Sequence, residues 1–292
     1  MMKLKKFFLI LIFLFSSNFL LANNNNSNPK PKEEKIECND SHSLLLFLEK
    51  DALNLHEKDS NKKIFPASLV KLMTAYLVFE AIEDKKITLD QKITISPRSN
   101  AISYVNKVTT LHLKIGDEIT IKDALYGMIV KSFNGAAVAL AEIIADNEWQ
   151  FAQKMNQKAI DLGMYNSNFR NASGLHDRGQ YVTAYDLKKL IIAIKNDFPQ
   201  YYEIFGIKEI KIFDKKFISH NEVLKNYKGA EGMKTGFTSI SGFNLISSVV
   251  KNNDRIFSIL LSCESSGMRN KFTKKLLDKA FLKIEKSSLN SP

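Results

Sequence analysis

The chain has 292 residues, of which 45% are hydrophobic and 25% charged, and a formal net charge of +11, enough length and apolar content for one sizeable core. Neither an internal repeat nor an obvious internal linker divides it. A basic chain suits anionic surroundings, but no nucleic-acid-binding motif is present, so nucleic acid is not expected as a partner. His42, His56, His112, His176 and His220 are scattered, with no His-x-x-x-His or Cys/His cluster of metal spacing, so neither metal nor cofactor is expected.

Lys3, Lys5 and Lys6 precede an apolar run from Phe7 to Phe15 that resumes at Phe19 to Leu21, with Ala22 as the candidate cleavage residue. Residues 1–22 therefore read as a secretory signal peptide. The run is short for a membrane span, yet Leu20 is not the small residue preferred two positions before the cut, which leaves membrane association open. Residues 23–40, rich in Asn, Pro and Lys, read as a disordered linker, and the folded domain is expected over 41–292.

Leu44 to Leu48 and Ala52 to His56 flank a charged turn, and Phe243 to Val250 and Arg255 to Ser262 flank Lys251-Asn252-Asn253-Asp254, both in the manner of hairpins. This predicts a sheet built from both ends of the chain. Between them lies a helix-rich lobe, with a helix after Pro66, segments through Asp123 to Ile144 and Glu148 to Leu162, and a helix capped by Thr183-x-x-Asp186 running to Lys195. A last helix, about Asn270 to Lys286, puts Phe272, Leu276, Leu277, Ala280, Phe281 and Ile284 on one face and lysines on the other. If the first and last strands lie antiparallel, Cys38 falls near the end of the last strand. An exported chain permits that disulfide, and the residues leave its formation open.

Three motifs carry the chemistry: Ser68-Leu69-Val70-Lys71, Ser132-Phe133-Asn134 and Lys234-Thr235-Gly236. Ser-x-x-Lys also starts at Ser27, Ser60 and Ser248, and Ser-x-Asn also at Ser16, Ser219 and Ser288, whereas Lys-Thr-Gly occurs once. Chance supplies that tripeptide roughly once in several thousand positions. Only the copy at Ser68 has helical surroundings, where residues i and i+3 share a face and the hydroxyl meets the amine. An ordinary lysine, with pKa about 10.4, stays charged at neutral pH, so Lys71 needs burial or a second cation such as Lys234 to act as a base. No Gly-x-Ser-x-Gly elbow supports a Ser-His-Asp triad.

With these motifs the chain resembles the serine-type D-Ala-D-Ala carboxypeptidases, the low-molecular-mass penicillin-binding proteins, over roughly residues 41 to 286. The stretches Gly127 to Glu142, Phe169-Arg170-Asn171-Ala172-Ser173-Gly174-Leu175 and Gly232 to Thr238 extend the likeness. The resemblance implies an α+β, β-lactamase/transpeptidase-like fold: an antiparallel five-stranded sheet flanked by helices, a helix-rich lobe, and the active site between them. The last helix would then cover the sheet rather than act as a basic amphipathic membrane anchor. It also implies an exported enzyme of the bacterial cell envelope, in the periplasm, acting on peptidoglycan stem peptides, with β-lactams as covalent inhibitors. Ser68 would attack the carbonyl between two D-alanines with Lys71 as base, Ser132 would relay a proton, and Asn134 would bind the stem peptide. Lys234, Thr235, Gly236, Phe237 and Thr238 would bind the substrate end, with the N–H groups of Ser68 and Phe237 as oxyanion hole.

Three departures qualify the resemblance. Gly135 stands where members often carry an acidic residue; Ser262-Cys263-Glu264 replaces a Gly pair followed by a basic residue, with Arg269 read as a surface residue and left out of the site; and no C-terminal β-domain is expected within 41–292. The Glu-x-x-x-Asn match at Glu222 lies too close to Lys234 for a β-lactamase Ω-loop, so slow release of penicillin is expected. A DD-endopeptidase cutting cross-links, and a non-catalytic peptidoglycan or β-lactam binder, stand as alternatives.

Overall fold

Strand β1 (Ser43–Leu48) is apolar after its first residue, the pattern of a strand covered on both faces. The computed structural model describes residues 36–105 and 110–289, with one unit from Ile36 onward. The signal peptide and most of the linker predicted from sequence lie outside the described residues.

After β1 come β2 (Asn54–Lys58), α1 (Lys71–Glu83), β3 (Lys92–Thr94), α2 (Pro97–Ser103), β4 (Glu118–Thr120), α3 (Ile121–Val130), α4 (Asn134–Ala145), α5 (Glu148–Asp161) and α6 (Ala184–Asp197). The chain continues through β5 (Glu209–Ile212), β6 (Lys215–Ile218), α7 (Glu222–Asn226), β7 (Ala230–Thr238), β8 (Gly242–Lys251), β9 (Asp254–Cys263) and α8 (Ser266–Leu289). The main sheet is antiparallel in the order β2-β1-β9-β8-β7, so the first and last strands lie side by side and β7 forms an edge. Two small two-stranded sheets, β3 with β4 across α2 and the hairpin of β5 with β6, complete the strands among the described residues.

Because side chains alternate along a strand, β1 feeds two cores. Leu45 and Phe47 face the helical lobe with Phe257, Ile259 and Leu261, while Leu44 and Leu46 face α8 with Leu260, Phe272 and Leu276. The last helix therefore spends its apolar face on the sheet. No helix among the described residues is long and apolar enough to cross a membrane.

Ahead of the expected domain start at residue 41, Cys38 is already part of the fold, buried and disulfide-bonded to Cys263 at the end of β9. That bond resolves the pairing left open by the sequence. It also uses up both sulfurs of the one metal-capable grouping among the described residues, Cys38, Cys263 and Glu264. The second strand starts at Asn54 rather than Ala52, since Asp51 and Ala52 turn through positive φ in a short 3-10 turn. The segment through Asp123 to Ile144 resolves into α3 and α4, and Thr120 and Thr183 cap α3 and α6 by accepting from the N–H groups of Asp123 and Asp186, both at 3.0 Å. Helix α2 was not foreseen, although Ser96 capping a helix with Pro97 at its first position is a legible start signal.

Candidate active site

Helix α1 is apolar on all sides and buried through the lobe, so its first turn is held rigidly. A 3-10 turn, Ala67–Val70, leads into it from Pro66. In a 3-10 turn residues three apart eclipse one another, which brings Ser68 over Lys71 more directly than the helix expected from sequence. Lys71 Nζ lies 3.1 Å from Ser68 Oγ. The same amine donates to Asn134 Oδ1 at 2.8 Å and to the Ser173 carbonyl.

Ser132 sits in the break between α3 and α4 with φ +66°, a left-handed conformation that non-glycine residues hold only when their surroundings fix it. Its hydroxyl accepts from Lys234 Nζ at 3.0 Å. Lys234 comes from edge strand β7, so the three motifs meet where that edge faces the lobe.

A cavity of about 430 Å³ opens there, lined by Ser68, Ser132, Asn134, Thr235, Gly236, Phe237 and Thr238 among others. Lys71 and Lys234 lie behind its wall, almost fully buried. Two glycines bring backbone close to the serine. A Cβ on Gly236 would stand 3.2 Å from Ser68 N, and one on Gly174 1.9 Å from the Ala67 carbonyl oxygen. Phe237 is half exposed and stacks on Phe243 with ring centroids 4.1 Å apart, and Thr238 Oγ1 accepts from Ser241 N at 3.0 Å.

Burial holds Lys71 well below the ordinary lysine range, and the charge of Lys234 pushes the same way. Burial, then the guanidinium of Arg269, lowers Lys234 to about 7. Arg269 is a correction to the sequence reading. It is 4% exposed, lines the cavity, and donates from Nη1 to the Asn244 carbonyl at 3.2 Å. Asn244 itself was missed: from β8 it donates to the carbonyls of Phe65 and Pro66 and accepts from Ser262 N at 2.8 Å, tying the start of the Ser68 turn to the sheet. His220, on the loop after β6, also lines the cavity, and burial, then Lys131, Lys234 and Lys225, push it down to about 4.

Gly135 has a steric reason. A Cβ there would fall 1.8 Å from Ser103 Oγ and 2.7 Å from the Ser99 carbonyl oxygen, so α2 occupies the space an acidic side chain would need. Of the other Ser-x-x-Lys copies in the described residues, Ser60 lies in a turn and Ser248 is buried in β8.

A sequence profile of the D-alanyl-D-alanine carboxypeptidase family matches residues 32–265. D-alanyl-D-alanine carboxypeptidase DacF of Bacillus subtilis is 34% identical over 238 residues, covering 79% of this chain and 59% of its own length. DacD of Escherichia coli is 33% identical over 273 residues, covering 92% of this chain and 68% of its own. The chain thus spans about six-tenths of the length of the first of these relatives. Among solved structures, penicillin binding protein 5 from Haemophilus influenzae superposes with TM-score 0.78 at 30% identity, over 82% of this chain and 70% of that one. Penicillin-Binding Protein D2 from Listeria monocytogenes, in an ampicillin-bound form, gives TM-score 0.72 at 28% identity over 82% and 96%. With the profile running through most of the chain and the three motifs gathered at one cleft, this protein belongs to the D-alanyl-D-alanine carboxypeptidase family.

Proposed function

We propose that the protein is a serine D-Ala-D-Ala carboxypeptidase that removes the terminal D-alanine from peptidoglycan pentapeptide stems through an acyl-enzyme on Ser68. The observation that carries this reading is the set of partners around Lys71. A neutral amine has two hydrogens and one lone pair. Asn134 Oδ1 and the Ser173 carbonyl accept the hydrogens, and the lone pair is left for the hydroxyl proton of Ser68, 3.1 Å away. Burial, then the charge of Lys234, lower the pKa of Lys71 and so favour that neutral form.

In the acylation half-reaction, Ser68 Oγ bonds to the penultimate carbonyl carbon as its proton passes to Lys71. The oxyanion develops toward the N–H groups of Ser68 and Phe237, which do their work only in the transition state. The C–N bond then breaks as the leaving amine takes a proton through Ser132, and terminal D-alanine departs. In the second half-reaction water adds to the ester with Lys71 as base, and Ser68 recovers its proton as the shortened stem leaves. The terminal carboxylate meets Lys234, Thr235, Thr238 and the positive field of Arg269. The exposed backbone of edge strand β7 gives the stem peptide a strand to pair with.

β-Lactams would acylate the same serine. No carboxylate of the kind a β-lactamase uses for deacylation lines the cavity among the described residues, so release of the bulkier penicilloyl ester is left to Lys71 alone and should be slow. The signal-like leader and the disulfide favour a periplasmic or other exported setting. Mass spectrometry of pentapeptide and cross-linked muropeptides, with Ser68→Ala beside the wild type, tests the reading. Loss of one alanine from pentapeptide monomers supports it; conversion of dimers to monomers moves it to endopeptidase; no Ser68-dependent product leaves a binding role.

A further inference from the structure

A second cleft, about 560 Å³, adjoins the candidate active site, and the loop through Ser173, Gly174 and Leu175 lines both. Leu175 lines both clefts, and Ser173 lines the second while its carbonyl accepts from the catalytic amine of Lys71. Trp149, the chain's only tryptophan, also lines this cleft and is 66% exposed in the first turn of α5. A large aromatic ring left that open at the edge of a cavity is poorly accounted for by packing.

The chemistry of the lining narrows the ligand. Apart from Trp149 and Leu175 its lining side chains all carry a polar or charged group, which disfavours a lipid tail. Arg98 and Arg170 stand among Glu142, Glu148 and Asp177, so no net positive charge collects for a phosphate. Much of this set is braced. Glu148 Oε2 accepts from Arg98 Nε and Nη2 at 3.0 and 2.7 Å, and its Oε1 from Ala172 N at 3.1 Å. Arg170 and Asp177, both nearly half exposed, lie 3.7 Å apart, a loose pair with hydrogen-bonding capacity to spare. Planar polar side chains beside an open aromatic face suit a neutral, polyhydroxylated ring: hydroxyls meet the amide, carboxylate and guanidinium groups, and the C–H face of the sugar lies on the indole.

We propose that this cleft is a saccharide subsite that holds the amino-sugar backbone of peptidoglycan while the stem peptide attached to it reaches over the 171–177 loop to Ser68. The inference rests on the carboxypeptidase reading for its substrate. The four stem residues between the sugar and the reacting carbonyl span roughly 13 Å when extended, enough to cross one loop.

Two measurements decide it. The first compares kcat/KM for a disaccharide-linked pentapeptide with that for the same pentapeptide free of sugar, in wild type, Trp149→Ala and Trp149→Phe. The ring is solvent-exposed, so the variants should fold. The inference predicts that Trp149→Ala lowers kcat/KM on the sugar-linked substrate by about tenfold, near the upper end of one aromatic contact, spares the free peptide, and is largely rescued by Trp149→Phe. Equal losses on both substrates, or none, would overturn it. So would a Trp149 dependence seen with a sugar-free cross-linked peptide, which would assign the cleft to a second stem. The second measurement titrates intrinsic fluorescence of the wild type, which reports on Trp149 alone among tryptophans, with peptide-free GlcNAc–MurNAc disaccharide. A saturable change supports the subsite, and a flat titration counts against it. If wild type releases D-alanine from neither substrate, the carboxypeptidase reading fails, while the titration still decides the saccharide subsite.

Discussion

Lys71 Nζ donates to Asn134 Oδ1 at 2.8 Å across 63 residues of sequence, so the amine of the first motif is oriented by the amide of the second. The pairing predicts that Lys71→Arg, which keeps charge but cannot serve as base, lowers the second-order rate of acylation by a fluorescent penicillin by about 10²–10⁴. Asn134→Leu, which leaves the amine one acceptor short, should lower the same rate by a smaller factor. Stopped-flow acylation of the three proteins checks both, and near-wild-type acylation in Lys71→Arg would remove lysine as the base.

The two buried lysines set the pH dependence. Lys71 must be neutral to accept a proton, so acylation falls as pH drops through its depressed pKa. Lys234, near 7, must be charged to hold the substrate carboxylate, so KM should rise as pH climbs above about 7. Steady-state kinetics from pH 5 to 9, as roughly the range that brackets a pKa near 7, should show that rise in wild type and a flatter KM in Lys234→Arg.

Lys234 also affects stability. Its folded pKa is about 7. The unfolded value is near 10.4, so between them the unfolded chain binds more protons and stability increases with pH. Below about 7 the burial penalty is full. Lys234→Met should therefore gain roughly 2–5 kcal/mol at acidic pH, a gain that shrinks toward pH 10, at the expense of activity. Urea unfolding of both proteins at acidic and alkaline pH measures it.

Gly135→Asp should cost roughly 1–3 kcal/mol or more, because the new Cβ would overlap Ser103 Oγ and the Ser99 carbonyl on α2. The damage should extend to Asn134 beside it, so acylation slows as the melting temperature falls. A fully active, equally stable Gly135→Asp protein would contradict the packing described.

The Cys38–Cys263 bridge joins positions 225 residues apart and fastens the chain's start to the last strand. Replacing both cysteines by serine should cost roughly 2–5 kcal/mol in denaturant unfolding while leaving acylation of the folded protein intact. Thiol titration of the denatured wild type should find no free thiol.

Much of this molecule was legible in the sequence, for physical reasons that also mark where legibility stops. The strands at the two ends and the helices α5, α6 and α8 announce themselves through runs and periodicities that tertiary packing then uses. That Ser68, Ser132 and Lys234 come together at one cleft was readable because the proposed chemistry asks for particular side chains at short spacings. The carbonyl of Ser173 was not, since any residue offers a carbonyl and only the fold aims it at Lys71. Arg269 resembled a surface residue on an amphipathic helix, because nothing in a helical pattern reveals that β8 brings the Asn244 carbonyl beneath it. Gly135 was read as the loss of an acidic residue, and only the approach of α2 shows that no side chain fits.

The most direct test of the acyl-enzyme account is intact-mass analysis after brief exposure to benzylpenicillin, followed by proteolytic mapping of the adduct. The account predicts one penicilloyl group on the peptide carrying Ser68, slow to hydrolyse and absent in Ser68→Ala. An adduct on another serine, or D-alanine release that survives Ser68→Ala, would contradict it.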